Sequence, residues 1–175
     1  LEQDLAATFA LSSDRRVLAE NDPDRSPGPR LFLAGSGAGN LVRLRHDVDP
    51  SVVRRVEALV AAEPPWTDPD ARPACLSALE ALLDASFAGA AVIHHLPHGL
   101  AVDPGVEIVV GDSPAGQALL DRLAAEGVPP HLAAAGFLTV ADFWPPWCVA
   151  LENGEIASMA FAARTGSTGS SIGVY

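Results

Sequence analysis

The chain has 175 residues, a mass of 18.1 kDa and a formal net charge of −11. Apolar residues make up 49% and charged residues 19%, so a sizeable core can form and wholesale disorder is excluded. The acidic balance argues against nucleic acid as the main partner, because no basic field is present to displace phosphate counterions. All 11 basic residues are Arg, which excludes a Lys nucleophile or Schiff base.

The two cysteines, Cys75 and Cys148, are far apart and neither sits in a CxxC pair. They read as small apolar residues in a reducing, cytoplasmic setting. No apolar run approaches the roughly 18–20 residues that a membrane span needs, and the first residues lack the basic and apolar segments of a signal peptide. The abundance of Ala, Arg, Gly and Pro suggests a GC-rich bacterial coding sequence. The chain starts without Met and finishes on Ile172-Gly173-Val174-Tyr175, which reads as an unfinished strand, so both ends are expected to be trimmed.

In chain order, residues 1–20 read as a helix with Leu5, Phe9, Val17 and Leu18 as its apolar positions. Residues 21–29 form a loop of helix breakers. Leu31 to Leu33, the turn Gly35-Ser36-Gly37-Ala38-Gly39 and the alternating run Leu41 to Arg45 predict a hairpin. Asp49-Pro50 opens a helix whose apolar face is Val52, Val53, Val56, Leu59 and Val60. Glu63-Pro64-Pro65-Trp66 stops it. A second helix is expected over 73–86, with Leu76, Leu79 and Leu83 inward. Ala90 to His94 and Val106 to Val110 are strand candidates. Ser113-Pro114 caps a helix that Gly127 ends.

The strongest local signal lies further on. Trp147 to Leu151 and Ile156 to Ala163 are strand candidates joined by Glu152-Asn153-Gly154-Glu155. Asn-Gly is the preferred dipeptide for a type I′ turn. Ser170 to Tyr175 reads as a third strand, which makes a three-stranded antiparallel meander. No internal repeat is visible.

Several clusters invite a chemical reading. The glycine run 35–39 resembles a phosphate loop, but such a loop needs a helix next, and an alternating strand follows. His94, His95 and His98 are close in sequence, yet Pro97 prevents a helical pair, and Asp84 and Asp103 have no ligand spacing to them, so no metal site is expected. The two Pro-Pro-Trp stretches, at Trp66 and Trp147, read as rigid loop ends with Trp packed on the core, or as the lining of a substrate groove. Arg43, Arg45, Arg54 and Arg55 make a local basic patch, read as a solvated face or a contact for an anionic ligand. Strand, Gly111-Asp112-Ser113, helix resembles the nucleophile block of GDS-type serine hydrolases. Their Asp-x-x-His is missing, however: the only later His is His131, with Val128 three before it. Ser113 as a helix cap explains the same residues.

Residues 148–164 (CVALENGEIASMAFAAR) followed by Ser171 to Tyr175 resemble the central strands of the GNAT N-acetyltransferases. The nearest likeness is a bacterial branch with the pattern E-D-G-x-x-V-S-x-x-F-S-A-R. Against it the chain keeps Glu152, Gly154, Ser158, Phe161, Ala163 and Arg164, and Ile156 stands where the superfamily's next strand begins with Val or Ile. Residues 41–47 and the helix ending Ala62-Glu63-Pro64-Pro65 are similar to the N-terminal region of that branch. Ile172 stands where the branch often has Ala.

The resemblance implies an α/β fold: a GNAT-like mixed, largely antiparallel sheet with flanking helices, preceded by an α/β N-terminal region. The expected domains are 1–104 and 105–175, the latter the first half of an acetyltransferase domain. Acetyl-CoA is the implied co-substrate and a small-molecule or peptide amine the acceptor, with a homodimer as an open assembly. By position, Gly173, Val174 and Tyr175 would contact the pantetheine and the thioester carbonyl, where a backbone donor stabilises oxyanion character. The pyrophosphate motif R/Q-x-x-G-x-G/A, expected a few residues after Tyr175, does not occur in these residues. The 175-residue chain alone is therefore expected to be inactive and to bind acetyl-CoA weakly. No general base is assignable among Glu57, Glu63, Glu152 and Glu155. The alternatives are a non-catalytic GNAT-like module that a partner strand completes, and the hydrolase.

Overall fold

The computed structural model describes residues 2–90, 92, 99, 105–166 and 169–174. It is mixed α/β with antiparallel sheets. The chain divides into two compact units, residues 1–96 with 166–169 and residues 97–165 with 170–175. The boundary expected at residue 104 and the strand expected at Ala90 to His94 fall largely outside the described residues.

The first unit departs from expectation at its start. Helix α1 (Glu2–Thr8) stops early, and the chain continues as a small hairpin, β1 (Phe9–Leu11) and β2 (Val17–Glu20). The cause is the Ser12-Ser13-Asp14 segment. The Ser12 hydroxyl accepts the Arg16 N–H at 2.9 Å, and Arg15 turns the chain at φ 62°. Short polar side chains that bond nearby backbone compete with the helix. Leu5, Phe9 and Val17 do bury together as the helix reading required, but from three separate elements.

The second hairpin is as expected. Strands β3 (Leu31–Ser36) and β4 (Gly39–Leu44) pair with Leu33 opposite Val42, turning at Gly37-Ala38. Its two faces serve two cores. Leu31, Leu33, Val42 and Leu44 pack against α2 (Pro50–Ala62) and α3 (Leu76–Leu83). Phe32 and Leu41 pack on the Leu5 cluster, with Phe32 edge-on to Phe9 at 5.2 Å. The Asp49 side chain caps α2 by accepting the Ser51 N–H, and Val53, Val56 and Val60 are its buried stripe. Helix α3 is shorter than the expected 73–86, because Asp84 takes a left-handed conformation.

The second unit is built on a four-stranded sheet in the order β5-β6-β7-β8, formed by β5 (Glu107–Val110), β6 (Trp147–Glu152), β7 (Glu155–Gly166) and β8 (Gly169–Val174), of which Gly166 and Gly169 group with the first unit. β5 and β6 are antiparallel, as are β6 and β7. Two residues separate β7 from β8, too few for a parallel crossover. The β6–β7 turn has Asn153 at φ 53° and Gly154 at φ 82°, the paired positive angles of a type I′ turn. Val109, Val149 and Met159 face one another across three strands. They bury with Leu119 and Leu123 of α4 (Pro114–Glu126) and Leu132 of α5 (Pro130–Ala134).

Candidate functional site

The region singled out by the resemblance is the end of β8. Gly173 lies half-buried in that strand, whereas Val174 is 77% exposed. Tyr175 lies outside the described residues. A Cβ on Gly173 would stand 2.8 Å from Cε1 of Phe161 and 3.0 Å from its Cε2, so a side chain there would oblige the ring to shift. Phe161 meets Phe137 edge-on at 4.9 Å, Phe137 lies 5.0 Å from Phe143, and Phe143 meets Trp147 at 5.9 Å. At the far end of this row, a Cβ on Gly111 would stand 2.5 Å from the Trp147 indole.

Sequence reasoning missed the segment that supplies Phe137 and Phe143. It contains α5 and a single 3₁₀ turn at Val140–Asp142. Thr139-Val140-Ala141-Asp142 carries the capping-box signature, and the reciprocal bonds are present: the Thr139 hydroxyl accepts the Ala141 N–H, and the Asp142 carboxylate accepts the Thr139 N–H at 2.7 Å. Those bonds hold the Asp142 carboxyl below its usual range, the Thr139 backbone first among the causes. Two further polar contacts tie helices to the meander. Arg122 donates to the Gly154 carbonyl at 3.0 Å, and a ring nitrogen of His131 lies 3.1 Å from the Ile156 carbonyl.

The Gly111-Asp112-Ser113 block has the geometry of a helix start. The Ser113 hydroxyl donates to the Val110 carbonyl at 2.6 Å and accepts the Gly116 N–H at 3.0 Å. Gly116 lets the helix sit directly against the end of β5, since a Cβ there would collide with the carbonyls of Val110 and Gly111. Glu152 and Glu155 face each other across the β6–β7 turn and are exposed.

In the first unit, the basic patch resolves into separate contacts. Arg43 pairs with Glu2 at 2.7 Å and Arg45 with Asp47 at 2.8 Å, while Arg54 and Arg55 are exposed on α2. The glycine run is a hairpin turn, and Gly35 is where Trp66 crosses it: a Cβ there would stand 2.7 Å from the Trp66 carbonyl carbon. Asn40 holds the Pro-Pro-Trp segment by accepting the Trp66 N–H at 2.8 Å and donating to the carbonyls of Glu63 and Pro64. Trp147, the other Pro-Pro-Trp tryptophan, is fully packed in the core at 4% exposure. Glu57 and Glu63 belong to this first unit.

Among the described residues no group of three or more His, Cys, Asp or Glu is placed to hold a metal ion, and no helix is long and apolar enough to cross a membrane. His94, His95 and His98 lie outside those residues. No protein-family model matches the chain, and neither a curated protein nor a solved structure matches it significantly.

Proposed function

We propose that this chain belongs to an acetyl-CoA-dependent N-acetyltransferase of the GNAT type, acting in the cytoplasm on a small-molecule or peptide amine. The observation that carries the reading is the order of the second unit: strand, helices, then a three-stranded meander laid down in sequence order, closed by an Asn-Gly type I′ turn. That arrangement is what the resemblance implies for the first half of an acetyltransferase domain. It leaves the backbone at Gly173 and Val174 on the outermost strand, available to a thioester.

In the reaction, a neutral amine attacks the thioester carbonyl carbon. The new C–N bond forms, the C–S bond breaks and the CoA thiolate leaves with a proton. The ammonium proton goes to water or a base that these residues do not identify. A backbone N–H at the end of β8 would stabilise the oxyanion of the tetrahedral intermediate. The co-substrate's pyrophosphate would be held by the amides of an R/Q-x-x-G-x-G/A loop. Reading the codons after Tyr175 tests this directly. The motif is expected within a few residues; an immediate stop codon would sink the proposal of a standalone catalyst.

A second reading has its own support. β8 lies at an edge of the sheet with no charge and no proline, and Ile172 is 52% exposed. Such an edge accepts an added strand, as a non-catalytic module would use it. Release of CoA from acetyl-CoA by the whole protein over a panel of amines separates the two: turnover favours the enzyme, and none on any amine favours the module.

A further inference from the structure

The last residues of β8 are placed by one ring. Gly173 sits so close to Phe161 that a Cβ would come within 3.0 Å of three ring atoms, nearer than real Cβ atoms approach. Phe161 is itself only partly buried, and the rings packed against it limit how far it can move. Phe137 stands edge-on behind it at 85°, Phe143 lies against Phe137, and Trp147 closes the row beside Gly111. Phe137, Phe143 and Trp147 are each no more than 6% exposed. Four rings therefore run from the end of β5 to the end of β8, with a glycine at each end of the row. One residue beyond Gly173, the Val174 side chain stands in solvent.

We propose that Phe161 is a positioning residue. Its ring lies against the Gly173 backbone and fixes where that residue sits in the edge strand, and Phe137 and Phe143 are the packing that holds the ring. The consequence rests on the acetyltransferase reading, which assigns the thioester to the backbone of residues 173 and 174. An N–H aimed at an oxyanion works only over a narrow range of distance and angle, so a displaced Gly173 would misdirect it. The signal was present in the sequence as Phe161 and Gly173 within the likeness, but nothing along the chain pairs them.

The test uses the 175-residue protein with Gly173→Ala, Phe161→Leu and the double substitution. Gly173→Ala is expected to lower Tm by about 5 °C or more, as overpacking does. In the Phe161→Leu background the same change is expected to cost less than half of that, because the smaller side chain yields space. Equal losses in the two backgrounds overturn the proposal. Amide exchange gives a second readout that does not depend on Gly173→Ala folding. In Phe161→Leu, the amides of Gly173 and Val174 are expected to exchange at least about tenfold faster while that of Val149 is unchanged. Uniform acceleration makes Phe161 ordinary core filling and sinks the idea. Finally, millimolar acetyl-CoA should move the Gly173 and Val174 amide signals, and less so in Phe161→Leu. If the coupling holds and acetyl-CoA moves neither signal, the assignment of the thioester to residues 173 and 174 fails and the positioning role stands.

Discussion

Glu63 and Cys75 are joined across a gap of 12 positions: the Glu63 carboxylate accepts the Cys75 N–H at 2.9 Å and the neighbouring Ala74 N–H at 2.7 Å. The residue that ends α2 thus holds the start of α3, filling donors that a helix N-terminus leaves unpaired. The two side chains respond in opposite directions. The Ala74 and Cys75 N–H groups hold the Glu63 carboxyl below its usual range. Burial, and then Glu63 itself, push the Cys75 thiol up to about 11.

Cys75 is therefore expected to be inert. At pH 8 its alkylation by iodoacetamide should be about two orders of magnitude slower than that of an unstructured thiol, because the thiolate is the nucleophile. Peptide mass mapping checks this, with full modification appearing only in denaturant. Rapid labelling of Cys75 in the native protein would contradict the geometry.

The Glu63 link also carries a pH signature. A carboxyl whose pKa is lowered on folding adds stability above its unfolded value, near 4.5, and loses it as pH falls through the folded value. Glu63→Gln should therefore lower Tm at pH 7 and by less at pH 3, because the carboxylate's contribution fades as falling pH moves the parent toward its protonated form. Parallel melting curves for the two proteins that stay equally far apart at both pH values would show that the charge is irrelevant.

Ser113→Ala should cost about 1 kcal/mol in denaturant unfolding, the usual loss for a helix N-cap. It should change no esterase activity, since the hydroxyl is spent on Val110 and Gly116. Hydrolysis of p-nitrophenyl acetate by the parent that vanishes in the variant would restore the hydrolase reading.

Two glycines should respond to alanine for different reasons. Gly154 has open space around it but φ of 82°, so Gly154→Ala pays for backbone conformation alone, about 1 kcal/mol. Gly35 lies against the Trp66 backbone, which cannot move without releasing Asn40. Gly35→Ala should cost about 1–3 kcal/mol or more. Urea unfolding monitored by Trp fluorescence should rank Gly35→Ala as the more damaging; the reverse order would mean that the Trp66 segment gives way easily.

Much of the local structure was legible in the residues. Asp49-Pro50 and Ser113-Pro114 announce helix starts, Asn153-Gly154 a type I′ turn, and alternation in 41–45 a strand, because capping, positive φ and period-2 burial are decided within a few neighbouring positions. The N-terminal segment was misread for the same reason. Its apolar spacing suits a helix, but Ser12 and Arg15 bend the chain, and Leu5, Phe9 and Val17 still find one another by a different path.

The candidate site was only half legible. Sequence by itself determined the meander and the glycine at 173. Tertiary structure alone decided that Phe161 meets Gly173, that Phe137 and Phe143 stand behind that ring, and that Arg43 and Arg45 are taken by carboxylates. Side-chain packing and ion pairing between residues tens of positions apart depend on where the backbone returns, and no local pattern encodes that distance.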